Sequence, residues 1–158
     1  MLEKQHVISH LLREFPQFRN RWEEARNKWR HDAGAYLDMS SFARFVTDEL
    51  YEKGQYQQVR AAFELIERFL TDGTAEVREL AALGFLETLQ TAASWKPYGS
   101  DAFGRFLRPE SRDVWNKLDM ISGLNLDDCG VLEGEVLTWR LVRQSLGLVA
   151  VPIDGPVN

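Results

Sequence analysis

The fold is decided by residues 42–90, FARFVTDELYEKGQYQQVRAAFELIERFLTDGTAEVRELAALGFLETLQ. Apolar residues recur there every three or four positions, which is the spacing of one face of an α-helix. The pattern stops at Gly54 and again at Gly73, and glycine is a common residue just after a helix. Thr74 is a suitable N-cap for the helix that follows the second stop. These residues therefore predict three helices joined by short turns and packed as consecutive hairpins.

The segments on either side of this stretch have the same helical periodicity. Ser40 or Ser41 is predicted to cap the first helix of the stretch, and Pro109 suits the first turn of a later helix. The other predicted helices cover residues 7–15, 18–29, 102–107 and 133–146. The sequence thus indicates an all-α fold, either a compact bundle or a short helical-hairpin array, of about six to seven helices with an irregular C-terminal tail.

The length and the glycine and proline content predict the domain organisation. A chain of 158 residues has the size of one ordinary domain, so residues 1–158 are predicted to form a single helical domain. Residues 122–134 contain three glycines and two adjacent aspartates and are predicted to be a surface loop. Prolines within residues 148–158 predict a non-helical tail.

The charge balance and the cysteine content restrict the function. The chain carries 24 acidic and 19 basic side chains, a net charge of −5, which disfavours binding to nucleic acid or to a membrane surface. No stretch has the roughly 18 apolar residues of a membrane span, and no signal-peptide pattern is present. The single cysteine, Cys129, excludes an internal disulfide and fits a reducing compartment. We expect a cytoplasmic protein.

Acidic side chains are the sequence feature that bears most directly on a partner. They concentrate near the helix ends predicted at Gly54 and Gly73, and a further pair lies in the predicted loop. Together they predict an acidic surface that suits a basic partner, whereas a face that contacts only solvent is the alternative. The candidate partner-binding residues are Asp48, Glu49, Glu52, Asp72, Glu76, Glu79, Asp127 and Asp128.

The sequence contains no pattern typical of catalysis. His6 and His10 are four residues apart, a spacing that lets two imidazoles of one helix bind a metal ion, but no further ligand accompanies them. Cys129 follows two aspartates, and neighbouring negative charges disfavour a thiolate nucleophile. We therefore expect no catalytic residue, no metal and no cofactor. An enzyme with a metal held by the two histidines is the alternative.

Tryptophan is frequent in this chain. The five tryptophans are Trp22, Trp29, Trp95, Trp115 and Trp139. Large aromatic residues usually fill cores, and we expect this role for them, with aromatic residues anchoring an ordered loop at residues 94–100. Trp22 and Trp29 lie on one helix face with Arg26 between them, a geometry that permits a cation–π contact.

Three stretches of the chain resemble a family of small bacterial helical proteins. They are residues 11–24 (LLREFPQFRNRWEE), residues 42–90 quoted above, and residues 103–115 (FGRFLRPESRDVW). Within them, GFLETLQ at 84–90 and RPESRDVW at 108–115 are the most specific. We associate this family with immunity proteins encoded beside interbacterial polymorphic toxins, and no catalytic or ligand residue comes with the resemblance.

The resemblance implies a non-enzymatic function. An immunity protein binds one cognate toxin, needs no cofactor, and often presents acidic groups to a basic active-site cleft. Our hypothesis is therefore that the acidic helical surface occludes the active site of a cognate toxin. The alternatives are a helical-repeat scaffold that binds another cytosolic protein, and a small-molecule sensor.

Overall fold

The described part of the chain is all-α. The structure is a computed structural model, and it describes residues 1–28 and 34–122. The α-helices in these residues are α1 Val7–Glu14, α2 Arg19–Lys28, α3 Ala35–Phe45, α4 Tyr56–Asp72, α5 Ala75–Glu79, α6 Thr88–Ser94 and α7 Pro109–Ser122. Short 3₁₀ helices cover Lys4–His6, Pro16–Phe18 and Ser100–Phe106. No β-strand occurs in the same residues, and the predicted all-α fold is confirmed.

Two π-helical segments extend α-helices into long rods, and with α4 they make three long helical rods. Val46–Tyr51 continues α3, and Leu80–Glu87 joins α5 to α6. The rods therefore cover residues 35–51, 56–72 and 75–94. Their breaks fall at the predicted glycines, of which Gly54 has a φ of 73° that favours glycine. None of the helices in the described residues is long and apolar enough to cross a membrane.

The helix α3 begins earlier than the sequence indicated. Its N-cap is Gly34, so Ser40 and Ser41 lie inside the helix. The Ser40 hydroxyl donates to the Leu37 carbonyl oxygen at 3.2 Å, which satisfies the hydroxyl without a helix end. The predicted serine cap was wrong because a helical serine can bond back to the preceding turn.

The core lies where α3 packs against the segment Leu80–Glu87. A Cβ atom added to Gly84 would lie 3.0 Å from Met39 Cβ, so the absence of a side chain at Gly84 permits this close approach. Phe42 and Phe85 pack across the same contact with ring centroids 5.7 Å apart. The largest buried side chains are Phe18, Phe42, Phe45, Phe63, Phe69, Phe85 and Phe103. The glycine of the GFLETLQ stretch is therefore a packing residue.

The N-terminal segment holds the junction between α4 and α5. Leu2 donates from its N–H to the Asp72 carbonyl oxygen at 2.9 Å and accepts from the Thr74 N–H at 2.9 Å. The Thr74 hydroxyl oxygen accepts from the Val77 N–H at 3.3 Å, which confirms the predicted N-cap. Leu2 thus bonds to the residues before and after Gly73 and holds the junction in place.

A carboxylate of α4 caps the start of α7. Glu67 accepts hydrogen bonds from the N–H groups of Glu110 at 2.7 Å and Ser111 at 2.9 Å. The Ser111 hydroxyl oxygen accepts from the Arg108 N–H at 2.9 Å, and Pro109 begins the helix as predicted. A negative charge at a helix N-terminus is favourable. The RPESRDVW stretch therefore builds a helix start and docks it on α4.

The chain divides into two units after Trp115. The first is Met1–Trp115; of the second, the structure describes Asn116–Ser122, the end of α7. Apart from Ser122, which belongs to α7, the predicted loop at 122–134 lies outside the described residues. The predicted tail at 148–158, the helix at 133–146 and Cys129 also lie outside them. The single domain over residues 1–158 stays a prediction.

Candidate partner-binding site

The predicted acidic residues fall into two groups. The first acidic group is Asp48, Glu49 and Glu52, at the end of the rod 35–51, and the second acidic group is Asp72, Glu76 and Glu79, at the α4–α5 junction. Between them α4 runs for 17 residues, which span about 25 Å at 1.5 Å per residue. The two groups therefore lie at opposite ends of α4. Asp127 and Asp128 lie outside the described residues.

Two cations pair with the first acidic group. Arg21 of α2 donates from Nη2 to Asp48 Oδ2 at 2.9 Å and from Nη1 to Glu49 Oε2 at 3.2 Å. Lys96 Nζ, just after α6, lies 3.1 Å from Glu52 Oε1 and 3.4 Å from Asp48 Oδ1. Two cations and three carboxylates therefore form one network, in which every side chain is 30–39% exposed.

This network shifts two pKa values in favour of the charged forms. Partial burial of Asp48 favours its neutral form, but the hydrogen bonds of Arg21 and Thr47 and the charges of Arg21 and Lys96 together outweigh burial and hold the Asp48 pKa below its usual value. The pKa of Lys96 is raised, first by the hydrogen bond to Glu52 and then by the charge of Asp48. Both shifts favour the charged forms of Asp48 and Lys96.

Two carboxylates of the second acidic group have no counter-charge in the described part of the chain. Asp72 and Glu76 are exposed, and neither forms an ion pair within residues 1–28 and 34–122. Glu76 lies in the first turn of α5, where the helix dipole favours a negative charge. These two charges face solvent and are accessible to a partner.

An exposed tryptophan lines a groove beside the first acidic group. Trp95 is 86% exposed, so the expectation that it fills the core was wrong. The reason is that Tyr98 takes the inward position in this loop, where its ring packs against Tyr51 at 4.7 Å and Phe103 at 6.1 Å between centroids. The Trp95 groove, as we name it, is lined by Arg44, Asp48, Glu87, Thr88, Thr91, Ala92, Trp95 and Lys96.

Two ionisable side chains of the Trp95 groove lack partners within the described residues. Arg44 is exposed, and its guanidinium forms no ion pair there. Glu87 Oε2 is buried without a hydrogen-bond partner, and burial raises the pKa of Glu87. The pKa of the nearby Tyr36 is raised as well, by burial and then by the charge of Glu87. The groove thus combines an exposed ring, an uncompensated cation and a carboxylate that resists ionisation.

Comparison with known proteins identifies the domain that contains these features. Residues 8–122 match the family described as Domain of unknown function (DUF7674). The chain belongs to this family. Both acidic groups and the Trp95 groove lie inside the matched part of the DUF7674 domain, whereas no curated protein and no solved structure matches the chain. The description of the family states no activity, so the expected link to toxin immunity stays a prediction.

Other candidate residues of the DUF7674 domain have partners of their own. His10 Nδ1 lies 2.8 Å from Arg13 Nη2, and the His10 ring packs edge-on against Phe69 with centroids 6.0 Å apart. Among the residues that the structure describes, no group of three His, Cys, Asp or Glu side chains is placed to hold a metal ion. Arg26 Cζ lies 5.0 Å from the Trp22 ring centroid, so the cation–π contact that the spacing permits forms with Trp22. Trp29 lies outside the described residues.

Sequence reasoning missed the cations that organise this face. Arg21 and Lys96 are distant in sequence from the carboxylates they pair with, and Arg44 looks like any exposed helical arginine. The sequence does contain one signal for this face: Trp95 and Lys96 lie at a break in helical periodicity. Side chains at such breaks are often exposed. A large aromatic residue at a break is therefore a better candidate for binding than one on a helical stripe.

Proposed function

We propose that this protein is a non-enzymatic binding protein that neutralises a cognate interbacterial toxin in the cytoplasm by occluding its active site. The observation that carries the proposal is the 86% exposure of Trp95 beside an ordered ion-pair network. When a partner removes a large apolar side chain from water, the free energy of the complex falls. Tryptophan is also among the residue types that dominate the binding energy of protein interfaces.

The order of the surface around Trp95 supports this proposal. Lys96 is held by Glu52 and Asp48, and Asp48 is held in turn by Arg21. The Lys96 N–H also donates to the Ala93 carbonyl oxygen at 3.0 Å, which fixes the backbone next to Trp95. Side chains that are fixed before binding avoid an entropy loss of about 0.5–1.5 kcal/mol each.

The second acidic group supports the electrostatic part of the proposal. The exposed carboxylates of Asp72 and Glu76 attract a basic active-site cleft, and such attraction raises the rate of association more than it slows dissociation. Because both charges face solvent, their contribution is screened by salt. The second acidic group thus serves to steer the toxin, while Trp95 anchors it.

Co-expression with the protein encoded immediately next to this gene tests the proposal. We expect the host to survive expression of the neighbour only when this protein is present, and the two proteins to co-elute on size exclusion. Trp95→Ala is expected to weaken the complex by about tenfold or more. A harmless neighbour that elutes separately contradicts the proposed function.

Charge reversal in the second acidic group tests the steering role. Glu76→Lys, alone or with Asp72→Lys and Glu79→Lys, is expected to slow association, and the effect should shrink at high salt. Glu23→Lys on α2 is the matched control, because Glu23 is also an exposed helical glutamate. If Glu76→Lys and Glu23→Lys slow association equally, the second acidic group is not part of the interface.

A further inference from the structure

We infer that the Trp95 groove binds a segment of the partner protein that presents a carboxylate to Arg44 and an apolar side chain to Trp95. The inference rests on the proposed function to the extent that the partner is a protein. The acidic composition of the chain suggests a basic ligand, whereas the inferred ligand of this groove is acidic.

The charges of the groove support a carboxylate ligand. Asp48 and Lys96 lie 3.4 Å apart and have further partners in Arg21 and Glu52, so both are paired within the network. Glu87 Oε2 has no hydrogen-bond partner in the described residues, so it does not bond to Arg44 there. Arg44 is then the lining residue whose charge has no counterpart within the described residues. A guanidinium in this position is suited to bind a carboxylate with two parallel hydrogen bonds.

The exposed ring specifies the second half of the ligand. Trp95 lines the same groove as Arg44, so a side chain next to the bound carboxylate lies against the indole ring. An apolar residue there buries its own surface together with that of Trp95, which is 86% exposed in the free protein. An acidic residue beside an aromatic or aliphatic one is therefore the motif that fits.

A polypeptide fits this groove better than a nucleic acid. An indole ring and an arginine also bind a base and a phosphate, but a nucleic acid brings further phosphates close to Asp48, Glu49 and Glu52. The network next to the groove contains three carboxylates and two cations, so its net charge of −1 repels a continuous phosphate backbone. A protein segment with a single carboxylate meets less of this repulsion.

Selection of displayed random peptides on the immobilised wild-type protein tests the inference. We expect the selected peptides to share an acidic residue next to an apolar one, and their affinity to fall about tenfold in Arg44→Glu and in Trp95→Ala. Arg60→Glu is the matched control, because Arg60 is exposed on α4 and outside the groove lining, and it should bind like wild type. Circular dichroism and thermal unfolding confirm that each variant folds.

The alternative outcomes separate the inference from the proposed function. A basic consensus, no consensus, or binding that both groove variants retain overturns the groove assignment. Binding of fluorescent poly(dT) that both variants lose overturns it in favour of nucleic acid. If the co-expressed toxin is neutralised equally by wild type and Arg44→Glu, the inference fails while the function stands. If binding of acidic peptides requires Arg44 but the protein encoded by the neighbouring gene is harmless, the proposed toxin function fails and the groove assignment stands.

Discussion

The two acidic groups contain the same residue types and differ in their surroundings. In the first acidic group, Arg21 and Lys96 pair with all three carboxylates at 2.9–3.4 Å. In the second acidic group, Asp72 and Glu76 face solvent without an ion pair in the described part of the chain. Both groups lie next to the end of a helical rod, so secondary structure does not distinguish them. The difference comes from Arg21 of α2 and from Lys96, two residues after α6, which pair with the first acidic group.

This difference separates two effects of an acidic side chain. A paired carboxylate holds neighbouring elements in place, and an unpaired one on the surface contributes little to stability but is accessible to a partner. The net charge of −5 adds both kinds together and therefore overstates the acidic surface that a partner meets. In the Trp95 groove, for example, the lining cation without an ion pair in the described residues is Arg44.

The largest expected effect comes from disrupting the α4–α5 junction that positions the second acidic group. In Gly73→Ala the added methyl overlaps the Phe69 carbonyl oxygen and lies 2.6 Å from Val77 Cγ1. We expect the free energy of unfolding to fall by about 3 kcal/mol, measured by urea denaturation. The substitution also displaces Asp72, so any steering of a partner is weakened together with stability.

Gly54→Ala is the control for this change, because it tests backbone strain without a steric overlap. No atom lies within 4 Å of a Cβ at Gly54, but its φ of 73° is unfavourable for alanine. We expect a cost of about 1 kcal/mol. Equal costs at the two glycines would contradict the steric explanation for Gly73.

The next effect comes from removing the counter-charge of the first acidic group. Arg21→Gln leaves Asp48 and Glu49 without their guanidinium and is expected to destabilise the protein by about 1 kcal/mol, less at high salt. The same measurement on Asp72→Asn should give a change within about 0.5 kcal/mol, because Asp72 forms no ion pair within residues 1–28 and 34–122. If the two variants are equally destabilised, the distinction between the two groups is wrong.

The pH dependence of Arg21→Gln sharpens the same comparison. Because the folded-state pKa of Asp48 is lowered, its stabilising contribution is complete above the unfolded pKa of about 4 and is lost as pH falls through the folded value. The difference between wild type and Arg21→Gln should therefore close in the acid range. A difference that persists unchanged at pH 2–3 would mean that Arg21 acts through packing rather than charge.

Much of the fold follows from local sequence signals. Gly54, Gly73 and Thr74 mark helix ends where the structure has them, because turn and cap preferences depend on residues close in sequence. The π-helical segments have no such signal, since apolar periodicity does not distinguish them from α-helix. The start of α3 was misplaced because Ser40 has a local hydrogen bond that competes with capping.

The candidate site follows from the sequence only in part. The positions of the acidic residues near helix ends were predicted, but the pairing of Asp48 with Arg21 joins residues 27 apart and depends on tertiary packing. The exposure of Trp95 was missed for the same reason, since Tyr98 takes the inward position through contacts with Tyr51 and Phe103. Residue type thus indicates the chemistry, and packing decides whether it is accessible.

The smallest expected effect is an increase in stability. It tests a carboxylate that is half-buried, in contrast to the paired and the solvent-exposed carboxylates above. Glu87 is half-buried and forms no ion pair within the described residues, so burial raises its folded-state pKa and its charged form costs stability. Glu87→Gln removes this cost at neutral pH and should raise the melting temperature at pH 7 by roughly 1–3 °C.

Below about pH 4 the wild-type carboxylate is protonated in both the folded and the unfolded state, so the advantage of Glu87→Gln should disappear. The exposed Glu23→Gln is the control and should leave the melting temperature unchanged at both pH values. A lower melting temperature of Glu87→Gln at pH 7 would instead show that the Glu87 carboxylate is stabilised in its charged form. The contribution of a carboxylate to the stability of this domain would then depend only on the strength of its partners. Burial without a partner would not make a carboxylate destabilising.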